Sequence, residues 1–251
     1  MRKNDAARSV LDDIHAALAL LTRLPLGQAP MRGAQAAWAY PVVGALVGLI
    51  AGLAGALAHW FGLPAALAAL AALAVQVIVT GAMHEDGLAD SADGLWGGWT
   101  RARRLEIMKD SHIGAFGVIA LTLSLCARWA ALWLLFQLGT GAAMAALITA
   151  GAASRAAMPA LMWALPHARA AGLSHGTGRP ALHIVAAAAG IAAIIAAALV
   201  GGSVFGVLLW TALAVCAVAW IARAKIGGQT GDTLGALQQM TEIAILLSII
   251  A

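Results

Sequence analysis

Charge in this chain is confined to one side of a repeating apolar pattern. All 11 Asp and Glu, and all but two of the 15 Lys and Arg, fall in four segments, 1–35, 84–114, 164–183 and 223–242. Long apolar runs separate these segments, and the alternate gaps near 60–63, 139–141 and 201–204 carry no formal charge. A chain that alternates in this way crosses a bilayer repeatedly and keeps its polar parts in one compartment. Because Lys and Arg accumulate in short cytoplasmic loops, that compartment is expected to be the cytoplasm, with the N-terminus inside.

The hydrophobic fraction is 62% and the charged fraction 10%, against about 25% charged in soluble domains. A ~30 Å hydrocarbon core needs roughly 20 apolar residues per helix. Six runs qualify, about 38–59, 64–83, 115–138, 142–163, 184–201 and 204–222, and residues 241–251 span only if their helix starts near Leu234. The expected fold is all-α: one polytopic membrane domain over residues 1–251, with six or seven transmembrane helices. Continuous rather than alternating apolar runs exclude a β-barrel. Residues 9–24 place Val10, Ile14, Ala17, Leu18 and Leu21 on one face, the pattern of an interfacial helix ending near Pro25. Arg2 and Lys3 resemble a signal n-region, but Asp5, Asp12 and Asp13 follow and no cleavage site ends a short apolar core. The net charge of +4 is read as positive-inside bias with contact to anionic membrane lipid, not as a nucleic-acid surface. Cys126 and Cys216 sit inside apolar runs, with no disulfide or metal-binding spacing. Gly44, Gly48 and Gly52 form a stripe that permits close helix packing.

The segment His84-Glu85-Asp86-Gly87-Leu88-Ala89-Asp90-Ser91-Ala92-Asp93-Gly94 carries the chemistry. On a helix, Asp86, Asp90 and Asp93 share one face. Three carboxylates so close repel strongly, and at least one protonates unless a cation neutralises them; oxygen-only donors suit Mg2+ when phosphates complete its shell. Gly87 and Gly94 leave open a bent or unwound turn, and His84 reads most simply as an interfacial histidine. Farther on, Glu106 and Asp110 are one turn apart, and Arg101, Arg103, Arg104 and Lys109 offer phosphate contacts. Gly227-Gly228-Gln229-Thr230-Gly231-Asp232-Thr233 can cradle a phosphate through successive backbone N–H groups. Arg128 and Arg155 lie mid-span with no acid expected at their depth, which suggests anion binding in a cytoplasm-open cavity. His167, Arg169, His175, Arg179 and His183 form an inner loop that fits a substrate-facing lid and a plain polar connection equally. Together these parts suggest metal-assisted phosphoryl transfer.

Leu21-Thr22-Arg23-Leu24-Pro25, Tyr40-Pro41 with Gly44, residues 84–94, Arg104 through Ser111, Ile113 through Gly117 and Gly227 through Gly235 together resemble the cobalamin synthase family, the adenosylcobinamide-GDP ribazoletransferases. The likeness runs in order through nearly the whole chain. Glu85 departs from the family's usual Leu and His112 from a common Arg. The resemblance implies a multi-pass inner-membrane, Mg2+-dependent enzyme. It would join alpha-ribazole, or its 5'-phosphate, to adenosylcobinamide-GDP, with release of GMP. Carried onto this chain, it makes Asp86, Asp90 and Asp93 the metal ligands and Asp110 and Asp232 candidates for general base or further ligand. Arg104, Lys109, Ser111, Arg155, Lys225, Gly228 and Thr230 would hold substrate phosphates. The acceptor preference and a homo-oligomeric state stay open. A CDP-alcohol phosphotransferase fits less well, because its Asp motif has a different register. A transporter fits less well still, because the carboxylates gather at one interface instead of the midplane.

Overall fold

A computed structural model describes residues 3–251, with side chains from residue 9 on, so Arg2 and the Lys3 and Asp5 side chains of the signal-peptide question lie outside it. The chain is 81% helical, with no strand among the described residues. Helix α1 (Lys3–Leu21) leads into a 3-10 turn at Gly33–Ala39 and α2 (Tyr40–Trp60). Then follow α3 (Ala65–Thr80), α4 (Met83–Gly97), α5 (Arg101–Ile107), α6 (Ala115–Leu138), α7 (Thr140–Ala164), α8 (Leu173–Thr177), α9 (Leu182–Val200), α10 (Val204–Ile226) and α11 (Gly231–Ile250).

Five stretches are long and apolar enough to cross a membrane: Gly33–Trp60, Ala115–Leu138, Thr140–Ala164, Leu182–Ile226 and Gly231–Ile250. The pair α3 and α4 makes a sixth, bent by 86°. Leu182–Ile226 would be roughly 67 Å long as one rod at 1.5 Å per residue, about twice the ~30 Å core. It is instead a hairpin broken at Gly201, whose φ of 53° is open to glycine but strained for other residues. Two core layers confirm the reversal. Ile184 and Ile226 pack in the layer with Tyr40, Met158 and Leu161, whereas Val200 and Val204 pack in the layer with Phe136, Leu147 and Ile245. The expectation of six or seven spanning helices therefore holds, and α11 begins earlier than its apolar run because the polar first half faces the bundle.

Helices α2 and α7 cross along the glycine stripe. A Cβ on Gly44 would run into the Gly151 carbonyl, and one on Gly48 into the Leu147 carbonyl. Only hydrogen side chains allow that approach, the small-residue packing that replaces hydrophobic drive inside lipid.

Polar side chains knit the bundle's interior. The Arg128 guanidinium, 1% exposed, donates from Nη1 to Glu85 Oε1 at 2.7 Å and Gln239 Oε1 at 2.8 Å. Its Nη2 lies 3.1 Å from Glu242 Oε1, and Arg155 Nη1 lies 3.8 Å from Glu242 Oε2. Gln76 Nε2 donates to Glu242 Oε1 at 2.8 Å and Gln238 Nε2 to Glu242 Oε2 at 2.5 Å. Two arginines and two glutamates thus neutralise one another while joining α3, α4, α6, α7 and α11. This corrects the expectation that no acid lies at the depth of Arg128 and Arg155. Glu242 sits midway along α11, and Glu85 reaches inward from α4. Arg155 therefore faces Glu242 inside the bundle and does not line the cavity described below.

Gly48→Leu should lower stability by about 1–3 kcal/mol through overpacking against α7, read as a lower melting temperature in detergent. Arg128→Ala should cost about 3–5 kcal/mol, because it strands buried carboxylates. Unchanged melting in that variant would contradict the network.

Candidate active site

Helix α4 keeps its helical path through both glycines, because each one faces a neighbour. Gly87 lies against Asp232 and Gly235 of α11, where an added Cβ would meet the Asp232 carbonyl oxygen at 2.9 Å. Gly94 lies against Met108 and the Arg104 carbonyl. The close Gly87–Gly235 approach brings the acidic face of α4 beside the first turn of α11.

That turn is built from the glycine-rich segment. Gly227, with φ 75°, ends α10 in the left-handed conformation. Gly228 packs so tightly on Pro166 that a side chain would strike the Pro166 carbonyl. Two backbone hydrogen bonds run alongside, Gln229 N–H to Pro166 O and Ala168 N–H to Gln229 O, both 2.8 Å. Thr230 caps α11, accepting from the Thr233 N–H at 3.2 Å, while Thr233 Oγ1 accepts from the Thr230 N–H at 2.9 Å in a reciprocal box.

A cavity of about 210 Å³ opens where these elements meet, lined by Asp86 and Gly87 of α4, Thr230, Gly231 and Asp232 of α11, and Arg169 of the third inner loop. Arg169 Nη2 donates to Asp232 Oδ2 at 2.8 Å, and Thr230 Oγ1 donates to the same oxygen at 3.2 Å. Arg169 Nε is buried without a hydrogen-bond partner among the described residues. The sequence marks Arg169 only as part of a polar loop. Its signal was that the loop carries cations and histidines but no acid. His167 and His175 also line the cavity, their rings 5.3 Å apart edge to face. Burial, with His175 and Arg179 nearby, holds His167 below the usual histidine range; its Nδ1 accepts from Gln229 Nε2 at 2.9 Å, because an amide nitrogen can only donate.

Of the expected site residues, the cavity gathers Asp86, Thr230 and Asp232. Asp90 is half-buried one turn along and lies within the fields of Asp86, Asp232, Asp93 and Arg169. Asp93 is drawn elsewhere. Its oxygens accept from the Gly114 N–H at 2.7 Å and the Gly117 N–H at 2.9 Å, capping α6. The third-ligand expectation for Asp93 gives way to a structural one, because unsatisfied N–H groups at a helix start attract a carboxylate.

Arg104 donates to the Gly98 and Lys225 carbonyls, each at 2.9 Å. Lys225 Nζ donates to Leu95 O at 3.0 Å and lies 4.9 Å above the Trp96 ring. Both stitch α4, α5 and α10 together away from the cavity, and Gly228 is covered by Pro166. Lys109, Asp110 and Ser111 are exposed and do not line the cavity. Hydrogen bonds from the His112 ring and backbone hold the Asp110 carboxyl below its usual range.

Among the described residues no three His, Cys, Asp or Glu side chains are already gathered around one ion-sized point. Two carboxylates from separate elements, Asp86 and Asp232, do face one cavity. That donor set suits Mg2+ arriving with a substrate, since the ion is commonly held through one or two carboxylates while phosphates and water fill its shell.

Because His167 is depressed in the folded chain, its contribution is present above the ordinary histidine pKa and is lost as pH falls through the folded value. Acidification below about pH 6 should loosen residues 166–179 from the glycine-rich turn, measured as faster amide exchange there. His167→Gln should remove that pH dependence.

The cobalamin-5-phosphate synthase family model matches residues 13–250. A relative in Mesorhizobium japonicum, named adenosylcobinamide-GDP ribazoletransferase, is 47% identical over 243 residues, covering 96% of this chain and 93% of its own. Relatives of the same name in Bradyrhizobium diazoefficiens and Azorhizobium caulinodans are 44% and 41% identical, over 97% and 96% of this chain and 95% and 96% of theirs. No solved structure matches it. Since the match spans the acidic helix, the inner loops and the glycine-rich turn alike, this chain belongs to the cobalamin-5-phosphate synthase family.

Proposed function

We propose that the chain joins alpha-ribazole, or its 5'-phosphate, to adenosylcobinamide-GDP at the cytoplasmic face of the inner membrane, releasing GMP. The observation that carries this reading is the cavity where Asp86, Asp232 and Arg169 meet at the start of α11, in a chain whose relatives bear that activity's name. The ribose hydroxyl attacks the phosphorus linked to cobinamide. A new P–O bond forms there, the bond from that phosphorus to the bridging oxygen breaks, and GMP leaves with the electron pair.

Asp86 and Asp90 would hold Mg2+ as it arrives with substrate, and Asp232 would complete the set or take the hydroxyl proton. When bound, Mg2+ offsets negative charge developing on the diphosphate. Arg169, whose Nη2 already engages Asp232, clamps a phosphate oxygen through its planar fork. The N-terminus of α11 adds backbone N–H groups and a favourable dipole. Tyr40, Leu21 and the two histidines shield the reacting groups from bulk water. The positive-inside distribution of Lys and Arg supports the cytoplasmic orientation.

Purified protein should release GMP from adenosylcobinamide-GDP plus alpha-ribazole only with Mg2+ present. Asp86→Asn and Asp232→Asn should each lower turnover by about 10²–10⁴-fold without preventing membrane insertion, while Asp110→Asn should change it less than threefold. Full activity after chelation, or in Asp86→Asn, would overturn the reading.

A further inference from the structure

A second hollow, about 670 Å³, opens on the flank of the bundle between α6 and α10. Its floor is α4 and α11, whose Leu88, Leu95, Thr233 and Ala236 are buried there. Its banks are exposed: Phe116, Ile119 and Leu123 on α6, Trp210 and Leu213 on α10. Met240 lines the same gap and is half-exposed, although Gln239 and Thr241 beside it are buried. These walls belong to the membrane-crossing stretches, so hydrocarbon and not water surrounds the opening. One end of the groove is cationic. Lys225 extends by one turn the α10 stripe of Ala214, Val218 and Ile221, all three lining residues. Its Nζ donates to the carbonyl of Leu95 at 3.0 Å and lies 4.9 Å above the ring of Trp96, which also lines the groove. An ammonium has three donors, and Leu95 takes one. Arg104 Nη1 reaches the Lys225 carbonyl at 2.9 Å. Among the described residues neither cation forms an ion pair.

Length and charge name the occupant. Along α10 the groove runs from Trp210 to Ala222, roughly 18 Å at 1.5 Å per residue, a little more than half of the ~30 Å core. A packed membrane helix from a second copy would cross the whole core, whereas an acyl chain ends within its own leaflet. Basic pockets between spanning helices bind anionic headgroups, and Trp beside a cation is typical of the bilayer interface. We infer that this groove binds a single anionic phospholipid. An acyl chain lies between α6 and α10, and the phosphodiester sits at Lys225 and Arg104, beside Trp96. The two unpaired cations select a headgroup with net negative charge. The lipid lies across α4 and α11 from the candidate active site: Leu88 and Thr233 line the groove, Asp86 and Asp232 the cavity. The site is independent of the transferase reading, since occupancy is measured without turnover.

Delipidated protein in detergent is titrated with dioleoylphosphatidylglycerol or dioleoylphosphatidylcholine, and bound lipid per chain is counted by native mass spectrometry. Wild type should take up a single phosphatidylglycerol about fivefold more tightly than phosphatidylcholine, the effect of a cation near the headgroup. Lys225→Gln should erase that preference and leave phosphatidylcholine binding unchanged. Ala217→Trp fills the groove from an exposed position on its bank and should abolish uptake of both lipids. Ala120→Trp, on the opposite bank, repeats the measurement where the first variant folds poorly. Ile194→Trp, exposed on α9 and outside the groove, should change nothing. Equal binding of the two lipids by wild type, or equal losses in Ile194→Trp and Ala217→Trp, would mean unspecific boundary lipid. A wild-type dimer that Ala217→Trp splits while lipid uptake persists would give the groove to a second copy. Any of these results overturns the site.

Discussion

Everything in this bundle is arranged around two buried arginines that must find counter-charges inside a bilayer. Arg128 and Arg155 are each 1% exposed, where an unpaired charge is costly. Glu85 and Glu242 pair with them, and Gln76, Gln238 and Gln239 donate to the two carboxylates. The partners come from separate helices, so the requirement for neutrality also fixes where α4 and α11 lie. Glu85 is one residue from Asp86, and Glu242 shares its helix with Asp232. The network and the site are therefore two ends of one construction: charges pair deep in the bundle, and the same helices deliver carboxylates to its mouth.

Backbone proximity completes that delivery. Gly87 and Gly235 let α4 and α11 touch, with Cα of Gly235 only 3.2 Å from a Cβ added at Gly87. Asp86 on the first helix and Asp232 on the second then face one volume, with Arg169 bridging from the loop. Asp93 contributes by anchoring the start of α6 instead. The acidic motif is thus divided in labour: its beginning reaches inward to Arg128, its middle faces the cavity and its end caps a neighbour.

The spanning helices were legible because about 20 consecutive apolar residues leave few alternatives, and the family motifs carried the activity class. What escaped the sequence shares a physical cause. Hydropathy reports on lipid-facing surface and is blind to a polar stripe turned inward, so only residues 241–251 of α11 read as apolar, although Gln238, Gln239 and Glu242 lie within its buried face. Arg155, Asp93, Arg104 and Lys225 each find partners tens of residues away, which spacing along the chain cannot announce. Arg169 reads in sequence only as part of a polar loop for the same reason: its partner Asp232 is 63 positions distant, and its own neighbourhood carries no motif.

The paired backbone bonds between residues 166–168 and Gln229 have a mechanical corollary. They weld the third inner loop to the start of α11, so Arg169 and Asp232 ride on one rigid plate. The entrance cannot widen by swinging either segment alone. Any displacement of one segment must therefore carry the other with it or break these two bonds.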